Sequence, residues 1–169
     1  CINAPLYPGR LDAPKMRSML TELERELCRQ VKTEKPDGPN LSNLDIDHLM
    51  PQSWFSCWPL ENGHMVTNSD ATVLNQIVLS GTDLTPEQLL VRKRQQAIAT
   101  LGNLTLLNLS VNRSVQNAVF LKKRDALIVH TNLRLNIPLI VKDKWDEDEI
   151  LERGKKLGEI ALKVWPKHD

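Results

Sequence analysis

The chain has 169 residues, 41% of them hydrophobic, and a formal net charge of +1. This fits one soluble core of ordinary domain size and excludes a charge-dominated disordered segment. No apolar run approaches the roughly 20 residues a membrane helix needs, and three cysteines without C-x-x-C spacing argue against a disulfide framework or a zinc knuckle and for reduced thiols in a cytosol.

The opening residues lack a methionine, a basic n-region and an apolar h-region, so the chain reads as a domain excised from a longer protein. With Pro5, Pro8 and Gly9, residues 1 to 12 form an irregular lead-in. Asp12 then caps a first helix to Val31, with Pro14 in its first turn and Met16, Met19, Leu20, Leu23 and Leu27 as a core stripe. A loop from Lys35 to Asn43, containing Pro36, Gly38 and Pro39, delivers the chain to Asp45–Ser53, DIDHLMPQS. Leu44, Ile46 and the Leu49-Met50 pair are strand-compatible, and Pro51 ends the strand soon after His48. Alternation points Asp47 and His48 to opposite faces unless the strand bends there. An isolated Asp-His pair reads as a strand end beside an ordinary half-buried histidine. In a site, the carboxylate would hold a hard cation and the neutral imidazole would take a proton from water.

Residues 54 to 100 look like an insertion. Trp54, Phe55 and Trp58 plug a small core more readily than they stack on bases. Asn68 to Leu79 reads as a short helix, and Thr85-Pro86-Glu87 starts another that runs to about Ala99 and carries a basic patch, Arg92 to Arg94. The second strand is expected from Leu101 to Asn108, with Gly102 allowing a close backbone approach. Asparagine is poor in strands and helix interiors, so Asn103 within this strand and Asn112 at the next helix start both need partners if buried. Ser110 or Asn112 caps a helix to roughly His130 that turns Val115, Val119, Phe120, Leu127 and Ile128 inward. After an irregular connection from Thr131 to Lys144, the acidic run starting at Asp146 opens a last helix, ended by Trp165-Pro166. That run reads as a solvated face. From Arg92 to Arg134, by contrast, eight basic residues face one acid, Asp125, and the Lys122–Arg124 triplet suits phosphate.

DHLMPQ, GNLTLL, Asn112, Gln116-Asn117, Phe120 and Lys123, with the closing Trp145, Ile150, Arg153, Leu157 and Trp165-Pro166, together resemble the C-terminal nuclease domain of GmrSD-type modification-dependent restriction enzymes, a form of HNH nuclease. The Asp47-His48 stretch and the spacing of Asn103 and Asn112 are also similar to the HNH domain of RNA-guided nucleases. The resemblance implies an α+β, mainly α-helical fold, with a ββα-metal (HNH) core of two strands and a helix embedded among packed helices, in one domain spanning residues 1–169. It implies a metal-dependent DNA endonuclease or nickase, the cytoplasmic cleavage module of a bacterial anti-phage system, whose DNA-sensing and NTPase part lies upstream; the alternative is an inactive nucleic-acid-binding module. By the same resemblance His48 would be the general base and Asn103 would fix the loop or orient the imidazole. Asp47 and Asn112 would hold one Mg²⁺ or Mn²⁺ with Asn117 as reserve ligand, and Arg113, Lys122, Lys123 and Arg124 would meet DNA.

Overall fold

A computed structural model of the chain describes residues 4–31, 41–80 and 83–166. Cys1, His168 and residues 35–40 of the expected loop lie outside them. The elements are α1 (Ala13–Gln30), β1 (Leu44–His48), α2 (Asn68–Ser80), α3 (Pro86–Ile98), β2 (Leu104–Asn108), α4 (Leu109–Val115), α5 (Phe120–His130), α6 (Ile137–Ile140) and α7 (Glu147–Val164). The fold is mainly helical α+β, built round a ββα-like core of β1, β2 and α4.

Local chemistry sets most boundaries. The Asp12 carboxylate accepts the Lys15 N–H at 2.9 Å and starts α1. Thr85 and Gln88 form a reciprocal capping box at α3, satisfying two N–H groups that the first turn leaves without helical partners. Asp146 accepts from the N–H groups of Asp148 and Glu149 at the start of α7. α6 is a short turn of helix inside the connection expected to be irregular.

β1 and β2 pair antiparallel, with Asp47 opposite Thr105 and His48 opposite Leu104. Alternation sends the two faces of this strand pair to different cores. Ile46, Leu104 and Leu106 join Met16, Leu20 and Leu23 of α1 and Leu157 of α7. Leu107 lies with Leu49, Met50, Trp54, Trp58, Phe120, Leu127 and Trp145. Trp54 and Trp58 thus fill core as expected, and residues 54 to 100 supply one wall of it.

Three expectations need correction. The second strand begins at Leu104, not Leu101, because Leu101–Asn103 form a 3₁₀ turn in which the Asn103 N–H returns to the Thr100 carbonyl at 3.1 Å. The long helix expected to reach His130 is broken. α4 stops at Val115, capped by Asn108 rather than Ser110 or Asn112, and α5 restarts at Phe120. The Trp58 indole N–H donates to the Ala118 carbonyl at 3.3 Å within the break, and the changed phase leaves Val119 and Ile128 exposed while Phe120, Lys123 and Leu127 turn inward. Finally, the basic patch and the acidic run meet each other. Buried Arg94 pairs with Glu147 and donates to the Trp58 and Pro59 carbonyls, lying over the Trp54 ring, and Lys93 pairs with Asp148.

α7 closes the fold against the turn before β2. Arg153, buried, donates to the carbonyls of Gly102 at 2.6 Å and Leu104 at 2.8 Å. A Cβ on Gly102 would stand 1.9 Å from the Ile150 carbonyl oxygen and 2.8 Å from the Gly154 nitrogen. Both atoms are helix backbone, so Gly102→Ala must push α7 outward. The expected cost is about 3 kcal/mol or more, read as a melting temperature lower by roughly 6–12 °C; an unchanged melting temperature would show that α7 gives way freely.

Candidate functional site

The end of β1 places Asp47 and His48 in different surroundings, as strand alternation requires. The Asp47 side chain turns into the protein. Lys123 of α5 meets it there, its ammonium 2.9 and 3.1 Å from the two carboxylate oxygens and 2.6 Å from the His48 carbonyl oxygen. Both side chains are almost fully buried, Asp47 at 4% and Lys123 at 1% exposure. Burial pushes the Asp47 carboxyl above and the Lys123 ammonium below their ordinary values, and their mutual attraction opposes both shifts. Lys123 therefore does not face solvent for the DNA contact expected of it; the α4–α5 break rotates it into the core.

His48 is half-buried beside the lead-in segment. Its ring stacks on Tyr7 with centroids 5.7 Å apart, and Nε2 lies 3.2 Å from the Tyr7 carbonyl oxygen. A carbonyl only accepts, so Nε2 carries the hydrogen and Nδ1 keeps its lone pair. Burial holds the imidazole below its usual 6.5, which favours this neutral, proton-accepting form. The Leu6 and Tyr7 N–H groups both donate to the Ala99 carbonyl, at 2.7 and 3.2 Å, tying the segment to the end of α3. Tyr7 is a site residue that the sequence reading missed, because it reaches His48 from 41 residues away and partly through its backbone carbonyl.

Asn103 is fully buried and fully engaged. Its amide nitrogen donates to the carbonyls of Met50 (2.8 Å) and Ile98 (3.0 Å), while its oxygen accepts from the Met50 N–H (2.8 Å) and the Trp145 indole (3.1 Å). Its own carbonyl takes the Leu49 N–H at 2.9 Å. The residue staples the chain leaving β1 to the turn before β2, which fixes the loop; among the described residues its side chain makes no bond to the imidazole.

Asn112 lies on α4 next to β1, its amide nitrogen 3.4 Å from the Ile46 carbonyl oxygen. Among the described residues its Oδ1 is buried without a hydrogen-bond partner, which is costly for an amide oxygen unless another group takes it up. Asn117 sits in the exposed turn after α4, beyond the helix that carries Asn112. Arg113 and Lys122 are exposed, whereas Arg124 turns toward the Lys142 carbonyl and Asp143. Among the described residues no three His, Cys, Asp or Glu side chains gather as a metal cage. No hydrogen bond among the described residues joins the His48 ring to the Asp47 carboxylate, which Lys123 takes up, or to the Asn112 amide, which lies against the Ile46 carbonyl.

Across this arrangement, the family model described as GmrSD restriction endonucleases, C-terminal domain, matches residues 1–160. The chain belongs to this family. No curated protein and no solved structure matches it. As a GmrSD C-terminal domain it is a nuclease module of the restriction-endonuclease type. The match spans the lead-in that holds His48, both strands, α4 and α5, and the Arg153 anchor of α7.

Proposed function

We propose that this GmrSD C-terminal domain is an HNH-type, metal-dependent DNA endonuclease that cuts one strand at a time, with His48 as its general base. The observation that carries the reading is the imidazole at the end of β1, neutral and fixed by the Tyr7 carbonyl so that Nδ1 is left to accept a proton. In that role Nδ1 takes a proton from water, the hydroxide attacks phosphorus in line, and the bond to the 3′ oxygen breaks, that oxygen taking a proton from solvent, to leave a 5′ phosphate and a 3′ hydroxyl.

Asp47 and Asn112 would hold one Mg²⁺ or Mn²⁺, and the partnerless Asn112 Oδ1 fits that role, since a hard cation takes oxygen donors. When bound, the ion would offset the charge that builds on the phosphoryl and leaving oxygens. Asn103 would act by holding the chain that leaves β1 just after His48 in register. Asn117, in the exposed turn past the end of α4, would remain the reserve ligand.

A second reading, an inactive nucleic-acid-binding module of the same fold, differs in one outcome. Supercoiled plasmid incubated with the domain should become nicked circles with Mg²⁺ or Mn²⁺ and stay intact with chelator. Binding without nicking under every metal condition would favour the inactive module.

Arg113 and Lys122, exposed on α4 and α5, would contact phosphate, and target choice would fall to a DNA-sensing, nucleotide-hydrolysing part of the same cytoplasmic bacterial defence enzyme. Binding by the domain should then be weak and indifferent to sequence. Log affinity should fall with log salt by about 0.9 per phosphate contact, and replacing both Arg113 and Lys122 with alanine should flatten the slope by up to about two. Isotherms on unrelated duplexes of equal length provide the check, and a strong preference for one duplex at high salt would contradict it.

A further inference from the structure

The mechanism above leaves a buried cation unused. Lys123 has three N–H donors, and the structure gives them three acceptors: both Asp47 oxygens and the His48 carbonyl oxygen. The ammonium therefore lies across both oxygens of the carboxylate, where a cation binding through both at once would sit. It is also fixed in place. Lys123 is 1% exposed on the side of α5 that buries Phe120 and Leu127, so it reaches solvent only if that packing opens.

Asp47 contributes one negative charge, Lys123 cancels it, and Asn112 adds a neutral oxygen. A divalent ion approaching Asp47 in the free domain meets a carboxylate whose charge the resident ammonium already offsets, while Mg²⁺ sites of this kind ordinarily combine one or two carboxylates with substrate phosphates.

We propose that Lys123 is a positioning residue that makes metal loading depend on bound nucleic acid, keeping the free domain's affinity for Mg²⁺ and Mn²⁺ low until the phosphates of a strand supply the missing charge and ligands. The inference rests on the metal-dependent reading of the site. It goes further by assigning the order of assembly to one side chain.

Mn²⁺ binding, followed by the loss of the free-ion paramagnetic resonance signal, tests it in the His48→Ala background, which keeps the DNA intact. The measurement is made with and without a duplex, and the ion held by the duplex alone is subtracted. The duplex should tighten Mn²⁺ binding by about tenfold or more, and Lys123→Met should tighten it by about tenfold without any DNA. Lys123→Gln, which keeps donors but carries no charge, replaces the Met variant should that chain fail to fold, as circular dichroism would show. The duplex arm on the parent also stands by itself: no tightening there overturns the proposal. If the duplex and domain together hold Mn²⁺ but a folded Lys123 variant binds no more tightly than its parent, this inference fails and the metal site stands. If no arm binds Mn²⁺, both fall.

Discussion

His48→Ala should lower the rate of plasmid nicking by roughly 10²- to 10⁴-fold, the range expected when a positioned general base is removed, while the domain stays folded. The native ring is only half-buried and, among the described residues, makes one hydrogen bond and one stacking contact, both to Tyr7. Its loss should therefore cost about 1 kcal/mol of stability, the value of one ordinary hydrogen bond. Nicking rates and a thermal melt on the same preparation separate the two effects. Near-normal nicking by folded His48→Ala protein would end the assignment. A variant that loses activity only because it unfolds would move His48 from chemistry to architecture.

Asn103→Ala should give the reverse pattern, with stability failing first. Four hydrogen bonds of the side chain vanish together, and the Met50 N–H and C=O, the Ile98 carbonyl and the Trp145 indole are left in a site with no exposure to water. Each orphaned buried group costs about 1–3 kcal/mol, so the sum approaches the whole net stability of a domain, about 5–15 kcal/mol. The expected result is a chain that is unfolded or melts far below wild type by circular dichroism. Asn103→Asp keeps the acceptor but loses both donors and buries a charge, so it should fare little better. A folded Asn103→Ala protein with normal melting and no nicking would instead give Asn103 a direct part in the chemistry.

Much of this was legible in the sequence where one residue acts on its near neighbours. The caps at Asp12, Thr85 and Asp146 name their helices, and Gly102 marks the close approach that α7 makes. The amide of Asn103, out of place by propensity, signalled a residue that needed partners. What stayed hidden depends on distant contacts. The break at residues 116–119 contains neither proline nor glycine, and one of its partners is Trp58 in the long segment between the strands. Without that break, Lys123 reads as one more exposed base in a basic triplet. Buried charges were equally opaque: Glu24 is capped by the Arg134 and Leu135 N–H groups, and Arg153 is held entirely by backbone carbonyls. No pattern in their own neighbourhood announces either arrangement.

The anchoring of the β2 turn by α7 also fixes when the site can form as the chain is made. Both strands, His48, Asn103 and Asn112 leave the ribosome before Ile150, Arg153 and Gly154, the residues that seat the turn carrying Asn103. At roughly 5–20 residues per second, the growing polypeptide carries these residues for seconds without the brace that sets them. If the proposed nuclease role holds, a chain stopped short of Arg153 should not nick plasmid, because it has His48 but not the helix that seats the turn before β2.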